Sequence, residues 1–317
     1  MKNFLIRRTL VMLPLLFGVS IVNFALIRLA PGSPLDLMVS PTMTPAAHAA
    51  MERNLGLDAP LFRQYTTWLF NALKGNWGYS YASYRPVSAL IAERIPATVL
   101  LMGSALMLGL LVAVPLGVLS AVKRDTLVDR VVALSGFVGV SAPNFFLGLG
   151  LVYVFSVKLK LLPSSGMFTL GAERAPLDTL RHLALPCITL AIHIAGRFTR
   201  YVRSAMLDVL REEYLRTAAA KGASLFRRLS VHAFRNALIP LITLVGLELP
   251  GLFGGAIVTE QIFSWPGIGR LTIDSILSRD YPVLMGITLM AALLTLLASL
   301  LTDILYAVAD PRITFYQ

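Results

Sequence analysis

The sequence predicts an all-α membrane protein with six transmembrane helices and a small extracytoplasmic insertion after the first helix. Composition is the first reason: 56% of the 317 residues are hydrophobic and only 14% are charged, whereas soluble domains carry about 25% charged residues. The apolar residues also gather in runs of about 20, the length that crosses a bilayer as a helix. Finally, the net charge of +11 comes from basic residues between these runs, as in the cytoplasmic loops of membrane proteins, and this pattern argues against a nucleic-acid partner.

The predicted spans are 9–27, 97–122, 131–157, 183–196, 237–258 and 282–309. The fourth run has only 14 residues. It crosses only if its helix extends past Arg197 and Arg200, whose long side chains can reach the membrane interface. If this run were re-entrant, the number of spans would be odd and the topology given below would fail.

The distribution of Lys and Arg predicts that both termini are cytoplasmic. With the N-terminus inside, 16 basic residues fall in the 64 cytoplasmic positions and 12 in the 117 positions outside. The cytoplasmic segments are 1–8, 123–130, 197–236 and 310–317, and the outer segments are 28–96, 158–182 and 259–281. Since basic residues concentrate in cytoplasmic loops, this orientation is favoured over its inverse.

The spacing of the runs predicts three regions. They are the N-terminus with the first helix (1–27), an extracytoplasmic insertion (28–96) and a five-helix core (97–317) that carries the cytoplasmic loop 197–236. Within the insertion, residues 64–69 show the apolar spacing of a helix. Gly75–Ser80 is predicted to be a loop because of its glycines.

The sequence lacks the motifs on which an enzymatic function would depend. No G-x-x-x-x-G-K-[ST] occurs to cradle a nucleotide phosphate, and the glycine-rich Pro266–Arg270 is too short for that purpose. No H-E-x-x-H or C-x-x-C occurs, and the four histidines do not have the spacing of metal ligands. We therefore predict a chain that is not an enzyme and that has no cofactor and no metal site.

Three ionisable residues lie within predicted spans: Glu248, Asp303 and His193. A charged carboxylate at mid-span costs about 2.5–3.5 kcal/mol on insertion scales, so Glu248 is predicted to be protonated, paired or exposed to a water-filled path. An ordinary hydrogen bond between helices is the other interpretation. Asp303 lies near the cytoplasmic end of its span and can reach the interface. The three groups also fit a proton relay, which leaves a proton-coupled secondary transporter using Glu248 as an alternative of another class.

Gly251 and Gly255 form a G-x-x-x-G pattern in the fifth span. This spacing places both glycines on one face of a helix and permits close approach of another backbone. The face is predicted to pack either on another membrane subunit or within the same chain.

The largest cytoplasmic loop contains the most informative stretch, Glu213–Ser224. Its first part consists mainly of strong helix formers. Gly222 is predicted to end this helix in the left-handed conformation, and Ser224 to cap a second short helix. Small side chains at 217–220 let another surface approach closely, so the stretch is predicted to form a compact helical knob.

This stretch resembles the coupling loop of bacterial ABC importer permeases, which is described as E-A-A, three residues, then Gly. Arg216, Thr217 and Ala218 stand in the E-A-A place, and Gly222 follows at the matching distance. The Arg-Thr-Ala form and the later string Arg235–Pro240 are similar to the dipeptide, oligopeptide and nickel branch, in its first (B-type) permease subunit. Four other stretches resemble the same branch, namely Arg28–Pro34, Gly75–Ser80, Phe263–Arg270 and Arg279–Pro282, with Ser33, Asn76 and Trp77 as departures.

The resemblance implies the type I ABC importer permease fold and a subunit that translocates dipeptides or oligopeptides across the bacterial inner membrane. It also implies the partners: a second homologous permease, two cytoplasmic ATPases, an extracytoplasmic solute-binding protein and the lipid bilayer. Nickel chelates and glutathione are the alternative cargoes. The residues expected to couple to the ATPases are Glu213, Arg216, Thr217, Ala218, Lys221 and Gly222. Those expected at the translocation path or in subunit packing are Glu248, Gly251 and Gly255.

Overall fold

A computed structural model gives the arrangement of the chain. It describes residues 2–29, 44–54, 56–169, 171, 175–224, 227–228, 233–234, 241, 244–246, 248 and 256–309. The helices are α1 (Lys2–Leu29), α2 (Pro45–Asn54), α3 (Leu61–Leu73), α4 (Val87–Val122), α5 (Leu127–Ser141), α6 (Asn144–Leu151, continued by a π-helix over Val152–Lys158), α7 (Pro176–Leu210), α8 (Glu213–Ala220), α9 (Ile257–Ile262), α10 (Ile268–Leu277) and α11 (Tyr281–Ala309).

Helices account for the regular structure of the described ranges, apart from one isolated bridge between Tyr79 and Pro86. The predicted all-α class is therefore confirmed. Helices α1, α4, α7 and α11 are each long and apolar enough to cross a membrane, and the bent pair α5–α6 makes a fifth if it counts as one span. The predicted fifth span, 237–258, lies mostly outside the described residues, so the number of six spans stays a prediction.

The predicted third span, 131–157, is broken in the middle. Helix α5 ends at Ser141, α6 begins at Asn144, and the two axes are bent by 99°. Pro143 causes the break because it disfavours helical backbone in the residue before it, and Ala142 is indeed extended, with φ −73° and ψ 125°. By contrast, Pro115 and Pro186 lie inside continuous helices.

The predicted fourth span, 183–196, is only the middle of α7. This helix has 35 residues, from Pro176 to Leu210, so it extends beyond the predicted run at both ends and is long enough to cross. The loop predicted to begin at 197 therefore begins only at Arg211. Likewise α4 begins at Val87, ten residues before the predicted start at 97.

The core is built mainly where α4 packs against α7. Gly109 and Gly117 of α4 form two notches for this contact: a Cβ on Gly109 would lie 2.6 Å from Cγ2 of Ile194, and one on Gly117 would lie 2.6 Å from Cβ of Val202. Close packing through small residues is how membrane helices associate without a hydrophobic driving force between them. The two notches fix the register of α7 on α4.

Helix α5 crosses α7 at a pair of glycines, Gly136 and Gly196. A Cβ on Gly196 would lie 2.6 Å from the carbonyl oxygen of Gly136, so the two backbones are in direct contact. The segment that follows α8 reaches α11, where the Thr302 hydroxyl donates to the carbonyl of Gly246 (3.1 Å). The second contact places Gly246 beside α11.

The insertion contains the helix predicted around residues 64–69, which is α3. It packs on α1 through Tyr65, whose hydroxyl shares a hydrogen bond with Ser20 (2.8 Å). Residues 56–86 lie at one end of the helical bundle, which we call the insertion end. Helix α8 and the connection between α4 and α5 lie at the opposite end.

Candidate functional sites

The stretch Glu213–Ser224 folds as its sequence predicts. Helix α8 ends with Ala220, and Gly222 has φ +80°, the left-handed conformation that glycine adopts without the steric penalty of a Cβ. The Ala223 N–H donates to the carbonyl of Ala218 (3.1 Å), which is the bond that defines a Schellman helix end. The Arg227 N–H then meets the hydroxyl of Ser224 at 3.4 Å, as expected for a cap of the following turn.

One side of α8 anchors the helix and the other is exposed. Leu215 is buried in the main core, in the cluster that also contains Ala121 and Met206. Another face carries residues at the i, i+3, i+4, i+7 spacing of one helix side, and it is partly open. Those residues are Tyr214, Thr217, Ala218 and Lys221, all exposed except the half-buried Ala218. The knob is thus fixed to the bundle while it presents small side chains between an aromatic and a lysine.

A buried carboxylate joins three helices close to α8. Asp129 of α5 is only 4% exposed, and it accepts bonds from Nε and Nη2 of Arg203 on α7 at 2.7 and 2.8 Å. It also accepts the hydroxyl of Ser120 on α4 and the N–H of Asp125 in the connecting loop (3.0 Å). All of these bonds favour the ionised carboxylate. We call this group the Asp129 clamp.

Glu248 is paired with a residue that sequence reasoning did not connect to it. Oε1 of Glu248 lies 2.6 Å from Nη2 of Arg197 on α7, and the two side chains are 28% and 35% exposed. The pair removes the need for either charge to stand alone in a span, where it would be costly. Of the three predicted states of Glu248, the paired one is therefore the one observed.

Helix α7 has one apolar and one polar face around this ion pair. The apolar face is buried against the core through Ile194, Phe198, Val202 and Met206. The other face carries a polar side chain at every turn, namely His193, Arg197, Arg200, Ser204 and Asp208. Beside the C-terminal part of α7 lies a cavity of about 200 Å³. Its lining includes Tyr201, Ser204, Asp208 and Leu244. A polar stripe of this length on a membrane helix is typical of a water-filled cavity or a protein contact.

Two of the stretches that carry the family resemblance meet at the insertion end. Asp280, which is buried, accepts the hydroxyl of Ser80 and the N–H groups of Tyr81 (3.0 Å) and Ala82 (3.3 Å). The Ser80 hydroxyl oxygen in turn accepts the N–H of Ser83 (2.9 Å). These bonds hold the loop between α3 and α4 on the start of α11.

Replacing Ser80 by Ala is expected to lower the thermal unfolding midpoint of the purified subunit by about 2–4 °C. The change removes the hydrogen bond to the buried carboxylate and the one from the Ser83 N–H, together worth about 1–2 kcal/mol, and leaves the two backbone donors to Asp280 in place. Ser278→Ala is the matched control, since among the described residues the Ser278 hydroxyl bonds only to the carbonyls of Asp274 and Ser275 in the helix that it follows. Equal midpoints for the two variants would contradict a role for Ser80 in holding the loop.

The glycine-rich stretch around Gly267 cradles a carboxylate of the chain itself. Glu260 is fully buried and accepts the Thr98 hydroxyl (2.9 Å) and the Arg270 N–H (3.1 Å) at the N-terminus of α10. A Cβ on Gly267 would collide with this carboxylate, which explains the glycine. Burial raises the pKa of Glu260, and the hydrogen bonds to its oxygens oppose the shift.

The structure brings together part of the predicted site set. The coupling residues from Glu213 to Gly222 form one knob, whereas Glu248 lies apart from it, on the ion pair with Arg197. Gly251 and Gly255 lie outside the described residues. Sequence reasoning missed Asp129, Glu260 and Asp280 as buried carboxylates. The only signal for them was an acidic residue beside an apolar run, which does not distinguish a buried anchor from an exposed loop residue.

Comparison with known proteins places the chain in a family. Residues 113–315 match the family described as "Binding-protein-dependent transport system inner membrane component", and residues 1–102 match the corresponding N-terminal family. The chain belongs to this family of transport components. The resemblance found in the coupling loop is therefore confirmed, and the family membership decides against the proton-coupled secondary transporter as the class of this protein.

Several relatives of this transport component cover its full length. The oligopeptide transport system permease protein AppB of Bacillus subtilis is 43% identical over 99% of this chain and 100% of its own. The di/tripeptide transport system permease protein DppB of Pseudomonas aeruginosa is 41% identical, with 99% of each chain covered. The glutathione transport system permease protein GsiC of Escherichia coli K12 is 38% identical over 99% of this chain and 100% of its own.

A solved structure shows that the transport component also has the predicted fold. An inward-facing form of the MetNI methionine ABC transporter has a chain that aligns with a TM-score of 0.58 and 16% identity, over 70% of this chain and 97% of that chain. At this identity the likeness concerns the fold alone. The type I ABC importer permease fold is therefore confirmed.

Proposed function

We propose that this chain is one of two permease subunits of an ATP-driven importer that carries peptides inward across the inner membrane. The observation that carries the proposal is the knob formed by α8 and Gly222, which is anchored to the bundle and exposes small side chains for a partner. The chain itself has no nucleotide-binding motif, so ATP hydrolysis belongs to a partner. Peptides are the favoured cargo because relatives at 41–43% identity are named as oligopeptide and di/tripeptide permeases.

In this proposal the knob sits in a groove on one of two cytoplasmic ATPases. Tyr214, Thr217 and Ala218 contact the groove, and Glu213, Arg216 and Lys221 add charge contacts near its rim, which mainly tune the rate of association. Closure of the ATPase pair moves the knob as a rigid body. Because α8 follows α7 after only two residues, the movement passes directly into α7 and to the path beside it.

Purification of the assembled complex from native membranes tests the composition. We expect mass spectrometry to find a second permease, two ATPases and a solute-binding protein, and to find peptide as the bound solute. The complex is then reconstituted in liposomes, with ATP on the side of the membrane that carries the ATPases. It should transport a labelled dipeptide to that side. Glutathione, which is itself a tripeptide and is named for the relative GsiC, and a nickel chelate serve as competing cargoes. If glutathione or the nickel chelate competes for uptake and unlabelled peptides do not, that competitor replaces peptide as the assigned cargo.

We further propose that both termini are cytoplasmic and that 28–96 is the extracytoplasmic insertion on which the binding protein docks. The basic-residue asymmetry of the sequence supports this orientation. A reporter active only in the cytoplasm, fused after Gln317, is expected to be active, and an export-dependent reporter fused at Asp58 should be active as well. The inverse pattern at both positions would overturn the orientation, and a cytoplasmic-type signal at Asp58 alone would change the span count.

The face formed by Gly251 and Gly255 is proposed to pack on the companion permease near the translocation path. Replacing both glycines by Leu is expected to lower recovery of the companion subunit by about tenfold, because bulky side chains prevent close backbone approach. Gly103→Leu is a control on α4, where a Cβ meets no atom within 4 Å. Normal recovery of the companion in the double variant would place this face inside the chain or on lipid.

A further inference from the structure

Glu248, in the middle of the predicted fifth span, forms an ion pair with Arg197 of α7, the first residue after the predicted fourth span, and the pair is not closed off. The two charged atoms are 2.6 Å apart, and about a third of each side chain is exposed. The Nε of Arg197 and the Nδ1 of the neighbouring His193 are buried without a hydrogen-bond partner among the described residues. The site therefore holds both signs of charge and has hydrogen-bonding capacity left over.

The open side of this pair does not suit lipid. Charged side chains at this depth face the interior of a bundle or a water-filled cavity, and the pair lies on the polar stripe of α7 that continues through Arg200, Ser204 and Asp208. The opposite face of α7 is taken up by packing against α4. In the proposed function, the open side of the pair faces the space between this subunit and its companion, where the path for cargo lies.

We propose that Arg197 and Glu248 bind the two charged ends of a zwitterionic peptide in the translocation path, Arg197 the carboxylate and Glu248 the ammonium group. The inference rests on the proposed function and names the residues that recognise the cargo. A free peptide carries one group of each sign, separated by several bonds, so it must open the ion pair to bind both residues. Each residue then exchanges one charged partner for another.

This exchange explains why both residues are charged. In the empty path each neutralises the other, so neither stands unpaired in the membrane. A cargo that lacks one end group leaves one of the two residues without a partner, which disfavours opening of the pair. The planar guanidinium of Arg197 matches a carboxylate in two parallel hydrogen bonds, and the unpartnered His193 Nδ1 offers one more polar contact beside it.

The test compares each peptide with its capped forms in the reconstituted complex. Binding protein preloaded with a labelled dipeptide, its N-acetyl form or its C-terminal amide is supplied at saturation, and uptake is measured for wild type, Glu248→Gln and Arg197→Gln. Glu248→Gln is expected to lower uptake of the free dipeptide about tenfold. Uptake of the N-acetyl form should not fall, because this form has no ammonium group for Glu248 and no longer has to open the ion pair. Arg197→Gln is likewise expected to lower uptake of the free dipeptide about tenfold. It should not lower uptake of the C-terminal amide, which has no carboxylate for Arg197. The binding protein is identical in all variants, so its own preference cancels in each variant-to-wild-type ratio.

A structural ion pair would give other results. If the variants assemble normally and lower uptake of free and capped peptides by the same factor, or by none, the pair is structural and the inference is wrong. If a single variant fails to assemble, the exchange variant Arg197→Glu with Glu248→Arg keeps the ion pair. If the pair is structural, this variant should take up the free dipeptide at the wild-type rate. If the pair recognises the cargo, uptake of the free dipeptide should stay low, because each end group of a peptide bound in the wild-type orientation then meets a residue of like charge. A wild-type complex that hydrolyses ATP but takes up no peptide would overturn the peptide cargo and this inference with it.

Discussion

Replacing Gly222 by Asp is expected to leave the subunit folded and to lower ATP-driven uptake by more than about hundredfold. The structure separates the two effects. A Cβ at this exposed position meets no atom within 4 Å in the subunit, so the cost of folding is only the left-handed backbone conformation, about 1–2 kcal/mol for a residue with a Cβ. In the groove of an ATPase the same side chain would bring in a charge without a partner, which costs several kcal/mol, and about 2.7 kcal/mol already corresponds to hundredfold.

The expected signature is uncoupling. Basal ATP hydrolysis by the assembled complex persists, loaded binding protein no longer stimulates it, and uptake fails. Gly222→Asn has almost the same shape without the charge and tolerates the left-handed conformation, so it is expected to retain more uptake than Gly222→Asp. Ser164→Asp adds the same charge at an exposed position of the connection between the π-helix and α7, outside the proposed docking surfaces, and should have no effect. Wild-type uptake by a normally assembled Gly222→Asp complex would show that this loop is only a connector.

Replacing Asp129 by Asn is expected to destabilise the subunit by about 3 kcal/mol. The change removes the charge that balances Arg203. It also replaces one acceptor oxygen by an amide N–H₂, so two of the four donors that the carboxylate accepts lose their acceptor. Breaking a fully buried pair costs about 3–5 kcal/mol, and because the Arg203 side chain is 31% exposed we place the loss at the lower end. The measurement is the thermal unfolding midpoint of the purified subunit in detergent, expected to fall by roughly 6–12 °C.

Asp125→Asn is the matched control for the Asp129 clamp. Its carboxylate pairs with Arg124 at 3.2 Å, and both side chains are largely exposed, so the pair contributes less than about 1 kcal/mol. The double variant Asp129→Asn with Arg203→Met removes both charges and should recover part of the loss, since the two sites interact directly. An Asp129→Asn subunit as stable as the control would show that the Asp129 clamp adds nothing to stability.

Local sequence signals predicted local structure well in this protein. The helix end at Gly222, the cap at Ser224 and the helix around 64–69 each follow from residues within one or two turns of the feature. The membrane class likewise follows from composition and run length. In each case the physics that decides the structure acts over the same short distance as the pattern in the sequence.

The remaining features depend on contacts between distant residues. The pairing of Glu248 with Arg197 joins positions 51 apart in the sequence, and hydropathy alone indicated only that Glu248 needed some partner. The bounds of α7 were predicted too short because Arg197 and Arg200 lower the local hydropathy, although the extension past these two residues was anticipated as the condition for crossing. The break at Pro143 was not predicted, and 131–157 was given as one span, since a proline has the same appearance in the sequence whether neighbouring helices hold the chain straight or let it turn.

Because α7 is long and unbroken, a small tilt of the helix displaces its ends by several ångströms. At 1.5 Å per residue, its 35 residues form a rod of about 52 Å, and it touches α5 backbone to backbone near the middle, at Gly196. If that contact acts as the fulcrum, a rotation of about 10° displaces Leu210, 14 residues away, by about 3.6 Å. Arg197, one residue from the fulcrum, hardly shifts. A rotation of α7 about Gly196 would therefore move the end that joins α8, while the ion pair of Arg197 and Glu248 stays almost in place.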